Sequence, residues 1–268
     1  DLRPSRLFVL GMLGIAVGSL IYWGTGAALP EMPAEVIEES FQPDWRPSEE
    51  TVAAEVEAYR GSFLQQLAKR IPTSLVMHTI VFLFFALWRA GGLMLVGMAF
   101  FKWGILSGER SRGFYQRLAI VGLGLGWPMV AWGVYRNLQE GWTLEYSRFF
   151  GIQYNHWGSV LVAFGYIGLV MLWCQGDWLA GLQRRLGAVG RMALTNYLTQ
   201  TLICTTLFYG HGLGWFQSAD RLQQSLVVLG VWALQLFWSP IWLEHFRFGP
   251  FEWLWRSQTY MKLQPLRR

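Results

Sequence analysis

A single arginine stands in the middle of a long apolar run of this chain. Arg89 lies within residues 75–105, and no acidic residue occurs deep in any of the long apolar runs. A guanidinium at the centre of a bilayer costs at least about 2.5 kcal/mol on the mildest scale. Arg89 is therefore predicted to face protein, water or an anionic ligand, and it is a candidate substrate-binding residue.

Three of the four histidines are candidates for chemistry at one side of the membrane. His78 precedes Arg89 on the same run, and at 100° per residue the two fall within about 20° of one helix face. His156 and His211 stand at the outer ends of two later runs. Because imidazole titrates near neutral pH, His78 or His156 can act as a general base, and His211 can contact substrate. A purely hydrogen-bonding role fits each of them as well.

A stripe of polar side chains marks the run "RMALTNYLTQTLICTTLFYGHG". Thr195, Asn196, Thr199 and Gln200 cover an arc of about 140° on a helix. Hydrogen bonds between helices are one interpretation of this stripe. The other is a polar cavity, in which the four side chains would bind substrate.

Motifs for other chemistry are not found. The chain has no glycine-rich phosphate loop, no His-Glu-x-x-His and no carboxylate pair within an apolar run, and its two cysteines give no metal-ligand spacing. Neither a metal nor a cofactor is therefore identified from motifs. The net charge of +5 is spread between the apolar runs, so membrane topology explains it and nucleic acid is not a predicted partner.

Composition predicts an all-α, polytopic transmembrane bundle whose partner is the lipid bilayer. Hydrophobic residues make up 53% of the 268 residues and charged residues only 15%, below the roughly 25% usual in soluble domains. About six runs are long enough to cross about 30 Å of hydrocarbon. These runs are residues 7–26, 75–105, 118–135, 157–174, 192–209 and 225–243.

The distribution of charge predicts the orientation of these runs. Basic residues are more frequent on the side of the amino terminus, and most acidic residues lie on the other side. The positive-inside rule then places both termini in the cytoplasm. We expect one transmembrane domain over residues 1–268, with a cytoplasmic interfacial tail at 244–268.

The segment 27–72 is predicted to lie outside the cytoplasm and to contain an amphipathic helix at about 49–70. Ser48 can cap its start, and Pro72 is expected to stop it. This helix either lies on the outer surface of the membrane or forms a lid over an outward-facing cavity. The following run, 75–105, would measure about 46 Å as one helix, so it must tilt strongly, project from the bilayer or break, and Gly91 and Gly92 offer a place to break.

Three stretches together give the chain a family resemblance. "GRMALTNYLTQTLICTTLFYGHGLGWF", "LMLVGMAFFKWGILSGERSRGFYQRL" and "GPFEWLWRSQTY" resemble the YeiB-like family of bacterial inner-membrane proteins and its carboxy-terminal domain of unknown function. The resemblance implies a multi-pass protein of the inner membrane. It also implies an additional amino-terminal transmembrane bundle, so this sequence is expected to represent the later part of a longer protein.

The resemblance further implies a distant relationship to integral-membrane acyltransferases that modify sugars and glycans outside the cytoplasm. No residue here matches their histidine motif, so no catalytic residue is transferred. The first functional hypothesis is an acyltransferase-like enzyme using acyl-CoA or another acyl donor. The second is a transporter of an anionic or polar metabolite. The third is a structural or assembly subunit without catalysis.

Overall fold

The computed structural model describes residues 2–267 and is almost entirely helical. No β-strand occurs in this part of the chain apart from an isolated antiparallel bridge between Phe246 and Arg267. The prediction of an all-α fold is therefore confirmed. The α-helices are α1 (Pro4–Ala28), α2 (Ala34–Ser40), α3 (Gln42–Trp45), α4 (Glu49–Arg60), α5 (Phe63–Val76), α6 (Leu87–Lys102), α7 (Arg112–Gln139), α8 (Leu144–Tyr146), α9 (Ile152–Cys174), α10 (Ala180–Arg191), α11 (Ala193–Phe208), α12 (Arg221–His245) and α13 (Pro250–Thr259).

Between residues 2 and 267, five helical stretches are long and apolar enough to cross a membrane, which confirms a membrane protein with several transmembrane helices. Many of their large apolar side chains are exposed, as lipid-facing side chains are. The five stretches are Pro4–Glu31, Phe63–Lys102, Arg112–Gln139, Leu144–Cys174 and Arg221–His245.

The remaining predicted span, 192–209, forms the shorter helix α11. Its 16 residues reach about 24 Å, less than the hydrocarbon thickness. Met192 has non-helical dihedral angles at its start, and the backbone becomes extended at Tyr209. Of the about six predicted spans, the structure thus shows five as long apolar helices and the sixth as a short helix, and the cytoplasmic location of both termini stays a prediction.

The chain divides into two compact units, each described here by itself. Unit 1 comprises Asp1–Ser48 and Ile71–Asp177, and unit 2 comprises Glu49–Arg70 and Trp178–Arg268. The single domain predicted for 1–268 stays a prediction, and its end residues Asp1 and Arg268 lie outside the described residues.

Glycines bring the helices of unit 1 together in pairs. A Cβ added to Gly92 would lie 2.6 Å from the Gly11 carbonyl oxygen, so α1 and α6 touch backbone to backbone. A Cβ on Gly122 would lie 2.5 Å from the Gly165 nitrogen, and α7 packs against α9 in the same way. The sequence left open whether this run breaks at Gly91 and Gly92, and the structure shows α6 continuous through both residues, with Gly92 in close packing.

The irregular part of this long helix lies earlier, at Met77–Ala86. These 10 residues form a π-helix between α5 and α6, with hydrogen bonds from residue i to i+5. Pro72 lies inside α5, so the prediction that it ends a helix is also wrong. A proline removes only its own backbone donor, and a membrane helix can continue past it.

In unit 2, the predicted helix at 49–70 is two helices. α4 ends at Arg60, and α5 begins at Phe63 after Gly61 and Ser62. The amide of Gln66 explains the break, because its nitrogen Nε2 bonds the Gly61 carbonyl oxygen at 2.8 Å. A hydrophobic core lies where α10, the start of α11 and α12 meet. It is formed by Ala188, Met192 and Leu243 with two partly buried tryptophans.

The segment predicted as a cytoplasmic tail, 244–268, is folded onto itself. Phe246 pairs with Arg267 in the antiparallel bridge, and α13 lies between them in sequence. The Trp253 indole nitrogen also donates to the Gln264 carbonyl oxygen at 2.7 Å.

Candidate functional site

In unit 1, Arg89 is held by two uncharged groups of α9. Its Nη1 donates to the His156 carbonyl oxygen at 2.7 Å, and its Nη2 donates to the Ser159 hydroxyl at 2.9 Å. The side chain is half-buried. Within residues 2–267 no carboxylate lies at ion-pair distance from it. The guanidinium is therefore fixed in position while its positive charge has no anionic partner.

His156 lies beside Arg89, but its ring is enclosed. The residue is 4% exposed, and its Nε2 lies 3.0 Å from the Ile15 carbonyl oxygen on α1. A carbonyl only accepts, so Nε2 carries the proton and the lone pair of the neutral ring is on Nδ1. Gly18 leaves room for the ring, since a Cβ there would lie 3.7 Å from its Cε1. The structure thus brings Arg89 and His156 together, with little solvent access to the imidazole.

An open pocket of about 840 Å³ lies in the same unit and was not predicted. Ser19, Gln153 and Trp157 line it and are bonded to each other: the Ser19 hydroxyl donates to the Gln153 Oε1 at 2.5 Å and accepts from the Trp157 Nε1 at 3.1 Å. Arg136 also lines it, paired with Glu140 at 2.9 Å. A lone serine in an apolar run is a weak signal, so sequence reasoning missed this group.

His78 is exposed on the π-helix of unit 1, and its Nδ1 bonds the Ser74 carbonyl oxygen of its own helix at 2.7 Å. The predicted shared face with Arg89 assumed 100° per residue, which does not apply across Met77–Ala86. No hydrogen bond described in the structure joins His78 to Arg89 or His156. The argument that placed His78 and Arg89 on one helix face therefore fails.

The polar stripe of α11 lies in unit 2, and Asn196 is its centre. Its Nδ2 donates to the Val189 carbonyl oxygen and to the Ser239 hydroxyl, both at 3.1 Å. Its Oδ1 accepts from the Trp238 indole nitrogen at 3.2 Å. Asn196 is 3% exposed and Ser239 is fully buried. The amide joins α10, α11 and α12, as expected of a packing residue.

Gln200 continues this network. Its Nε2 donates to the Gln235 Oε1 at 3.1 Å, and the Gln235 Nε2 donates to the Asn196 backbone carbonyl at 3.0 Å. Gln235 is 4% exposed and faces α11 from α12. The interhelical interpretation of the stripe therefore accounts for both amides.

Thr195 is bound by a carboxylate from α13. Its backbone nitrogen donates to the Glu252 Oε1 at 2.9 Å, and its hydroxyl donates to the Glu252 Oε2 at 2.5 Å. The hydroxyl also accepts from the Phe251 nitrogen at 3.1 Å. Thr199 only returns its hydroxyl to the Thr195 carbonyl, at 2.8 Å. Glu252 was missed because its partner is 57 residues away in sequence.

His211, in unit 2, joins the loop after α11 to α5, and we call this contact with Gln66 the clamp. Its Nδ1 lies 2.8 Å from the Oε1 of Gln66, which is 2% exposed and also bonds the Tyr59 carbonyl oxygen. Burial raises the pKa of the Tyr59 phenol above its ordinary value, and Tyr209 and Glu55 act in the same direction. The phenol therefore stays neutral in its stack against Phe216. His211 therefore serves to hold the loop after α11 against α5.

The eight predicted site residues thus fall into separate groups. Arg89 and His156 are in contact in unit 1, where His78 stands apart, and the α11 residues and His211 belong to unit 2. A chamber shared by Arg89 and the stripe stays a prediction. Among residues 2–267 no three His, Cys, Asp or Glu side chains are grouped as metal ligands, and both cysteines are free thiols.

Comparison with known proteins gives a family but no activity. Residues 100–262 match the family described as "Protein of unknown function (DUF418)". The uncharacterized protein YeiB of Escherichia coli (strain K12) is 38% identical over 179 residues, which is 66% of this chain and 46% of YeiB. The uncharacterized protein YxaH of Bacillus subtilis (strain 168) is 40% identical over 109 residues, 41% of this chain and 27% of YxaH.

The matched region is less than half of either relative, so the relatives contain sequence that this chain does not match. No solved structure matches the chain.

Proposed function

The chain belongs to the DUF418, YeiB-like family of membrane proteins, and from that premise we propose that it is an acyltransferase-like enzyme of the bacterial inner membrane. It would transfer an acyl group from acyl-CoA or another acyl donor to an acceptor outside the cytoplasm. Both termini of this chain would lie in the cytoplasm, as the distribution of basic residues indicates.

The observation that carries the proposal is the state of Arg89. A guanidinium at membrane depth is costly, and here it is held by a carbonyl and a hydroxyl rather than by a carboxylate. Fixed donors without an anionic partner are suited to an anionic ligand, because guanidinium binds carboxylate and phosphate through paired hydrogen bonds. Arg89 would hold the anionic group of the acyl donor.

The reaction needs a base as well as a positioned donor. The acceptor oxygen forms a bond to the acyl carbon, and the bond from that carbon to the donor's leaving atom breaks. The acceptor's proton passes to the base and then to the leaving atom. Holding the two reactants together in a site that excludes water would supply much of the rate enhancement.

His156 and His78 are the two candidates for the base, and they differ in access. The Nδ1 of His156 carries the lone pair and the backbone carbonyl of the same residue binds Arg89, but substrate reaches Nδ1 only if the contact between α1 and α9 opens. The Nε2 of His78 is free to accept a proton because Nδ1 donates to Ser74, yet nothing described connects it to Arg89. We favour His156 for its position beside the guanidinium.

The residues of α11 have no part in this proposal. Thr195, Asn196 and Gln200 have hydrogen-bond partners on neighbouring helices, and Thr199 bonds its own helix. A substrate would have to displace those bonds, so we assign the stripe to helix packing. His211 is assigned to the clamp with Gln66 for the same reason.

Transport of an anionic or polar metabolite is the second candidate, and the π-helix favours it. Met77–Ala86 leads directly into the helix that carries Arg89. Such segments are frequent at functional sites, and a change in their hydrogen-bond register would reposition Arg89. In that case the same guanidinium would bind the cargo without any covalent change.

The proposal is tested by identifying anionic molecules that copurify with the protein. We expect mass spectrometry to find an acyl thioester or acyl lipid with the wild type, and Arg89→Ala to lose it. Arg89→Lys should retain a reduced amount, because a lysine keeps the charge but not the planar pair of donors. Arg184→Ala is the matched control, since Arg184 is exposed on α10 in unit 2.

The identity of the ligand separates the hypotheses. A copurifying acyl species that disappears when a sugar acceptor is added, with acylated acceptor as the product, supports the enzyme. An anion without an acyl group that is released unchanged supports transport. Absence of any anion from wild-type and Arg89→Ala protein alike contradicts both proposals and favours a structural subunit.

A further inference from the structure

Unit 2 contains an open pocket of about 680 Å³, within the size range of small-molecule sites. It lies between α4, the last turn of α11 and the first two turns of α12. Most of its wall is apolar. Its apolar lining includes Val52, Val56, Phe208, Trp215, Val227 and Val228.

One end of α4 is firmly attached to the loop after α11. The Gly210 nitrogen donates to the Tyr59 carbonyl oxygen at 2.9 Å, and the Arg60 Nε donates to the Phe216 carbonyl oxygen at 2.9 Å. The ring of Tyr59 stacks on that of Phe216 at 4.8 Å. The attachment places the rest of α4 along one side of the pocket.

The other part of α4 presents its apolar stripe to the pocket. Val52 and Val56 are four residues apart, which places them on one helix face, and both line the cavity. No residue of α4 is buried, so the pocket wall is the partner that this stripe has within unit 2. Of the two interpretations of this helix, the lid over a cavity accounts for this arrangement.

The charges around the pocket indicate what kind of occupant it takes. Glu55 is the acidic residue of the lining, and its Oε1 lies 3.5 Å from the Lys69 Nζ. Gln217 and Gln224 supply neutral hydrogen-bonding groups. An apolar cavity with compensated charge is suited to an uncharged hydrocarbon chain and offers little to an anion.

We propose that this pocket binds one acyl chain of a membrane phospholipid, with α4 as the lid over the chain. α12 is long and apolar enough to cross the membrane, so lipid is the most abundant apolar ligand within reach of the pocket wall that α12 forms. The polar glycerol region of that lipid would contact Gln217 and Gln224. The inference stands apart from the proposed reaction, because it involves none of the residues of unit 1.

The proposal is tested by photocrosslinking in lipid nanodiscs. The probe is a phosphatidylcholine with a diazirine near the end of one acyl chain, and adducts are located by mass spectrometry of peptides. We expect adducts on Val52 and Val56. In Val228→Trp the indole takes up part of the pocket, and these adducts should fall about tenfold, equivalent to about 1.4 kcal/mol. In the matched control Leu229→Trp they should not change, because Leu229 is the next residue of α12 and does not line the pocket.

Equal adduct yields on α4 in the wild type and in both tryptophan variants would overturn the proposal, because α4 would then be touching lipid outside the pocket. Absence of adducts from α4 in the wild type would overturn it as well, and would favour another occupant such as a segment of a longer protein.

A second measurement does not depend on the fold of a pocket variant. Cys174→Ser leaves Cys204, which lines the pocket, as the single thiol. We expect its rate of reaction with a water-soluble maleimide in detergent to fall several-fold when phosphatidylcholine is added. A rate that does not respond to the lipid overturns the proposal.

Discussion

The two units treat polar groups at membrane depth in opposite ways. In unit 2 the amide of Asn196 has partners for both its donor and its acceptor, and the Thr195 hydroxyl meets a carboxylate. In unit 1 the guanidinium of Arg89 has neutral partners and keeps an uncompensated charge. A satisfied network gives a ligand nothing to bind, whereas a fixed cation without an anion does.

This difference shows that polarity inside an apolar run does not by itself indicate a site. The stripe of α11 has more polar residues than the whole of α6, yet its hydrogen bonds are used between helices. What distinguishes Arg89 is the kind of partner it has. The predictions below separate the units by changing one of them at a time.

The largest effect is expected for Gly92→Ala, which acts on unit 1. The new methyl group would meet the Gly11 carbonyl oxygen at 2.6 Å and the Ile15 side chain at 2.9 Å, forcing α1 and α6 apart. We expect a loss of about 3 kcal/mol in thermal or denaturant unfolding. Gly91→Ala is the control, because nothing lies within 4 Å of its added Cβ. Equal stability of the two variants would refute the close contact.

The next effect is expected in unit 2, from Asn196→Ala. The change leaves the Trp238 indole, the Ser239 hydroxyl and the Val189 carbonyl without this partner. We expect a loss of about 2 kcal/mol in the same unfolding measurement. Thr201→Ala should cost less than about 0.5 kcal/mol, since its exposed hydroxyl bonds only its own helix. A neutral Asn196→Ala would argue that the network is not structural.

Glu252→Gln should have a smaller effect on unit 2. The carboxylate accepts two bonds from Thr195 at the positive end of α11, and an amide can keep only one of them. We expect a loss of about 1 kcal/mol. Glu244→Gln, at an exposed position near the end of α12, is the control and should leave the melting temperature unchanged. Identical shifts in the two variants would show that only net charge matters.

The smallest change in stability is expected for Arg89→Lys. Lysine keeps a charge and can reach one of the two α9 partners, so the loss should be about 0.5 kcal/mol. Its effect on the bound anion should be much larger than its effect on unfolding. If Arg89→Lys lowered stability as strongly as it lowered the amount of bound anion, Arg89 would be a packing residue like Asn196. The contrast between the two units would then disappear.

The helical membrane fold was predictable, because the apolar runs are long and charge is scarce in them. Arg89 was predictable too, since its charge is conspicuous at that depth. The hydrogen-bond partners of these polar residues were not predictable. Glu252 reaches Thr195 across 57 residues, and Ser159 reaches Arg89 across 70 residues. Contacts over such distances depend on how helices pack, which periodicity along one run does not contain.

Two errors have a common physical cause. The helix preceding Arg89 changes its hydrogen-bond register at Met77–Ala86, and α5 continues through Pro72. α6 also continues through Gly91 and Gly92, where a break was one of the alternatives left open by the sequence. Local rules treat prolines and glycine pairs as breaks, but within a bilayer a helix keeps its backbone bonds wherever it can. Gly92 instead permits contact with α1, a role that sequence alone did not separate from a hinge.

The most direct test compares the anionic acyl species retained by three purified proteins: the wild type, Arg89→Ala and Gln200→Leu. Gln200→Leu changes the polar stripe at a half-buried position and removes its bond to Gln235. We predict that Arg89→Ala loses the ligand and that Gln200→Leu keeps it. Retention by Arg89→Ala, or loss by a folded Gln200→Leu protein, would contradict the assignment of binding to unit 1 and packing to unit 2.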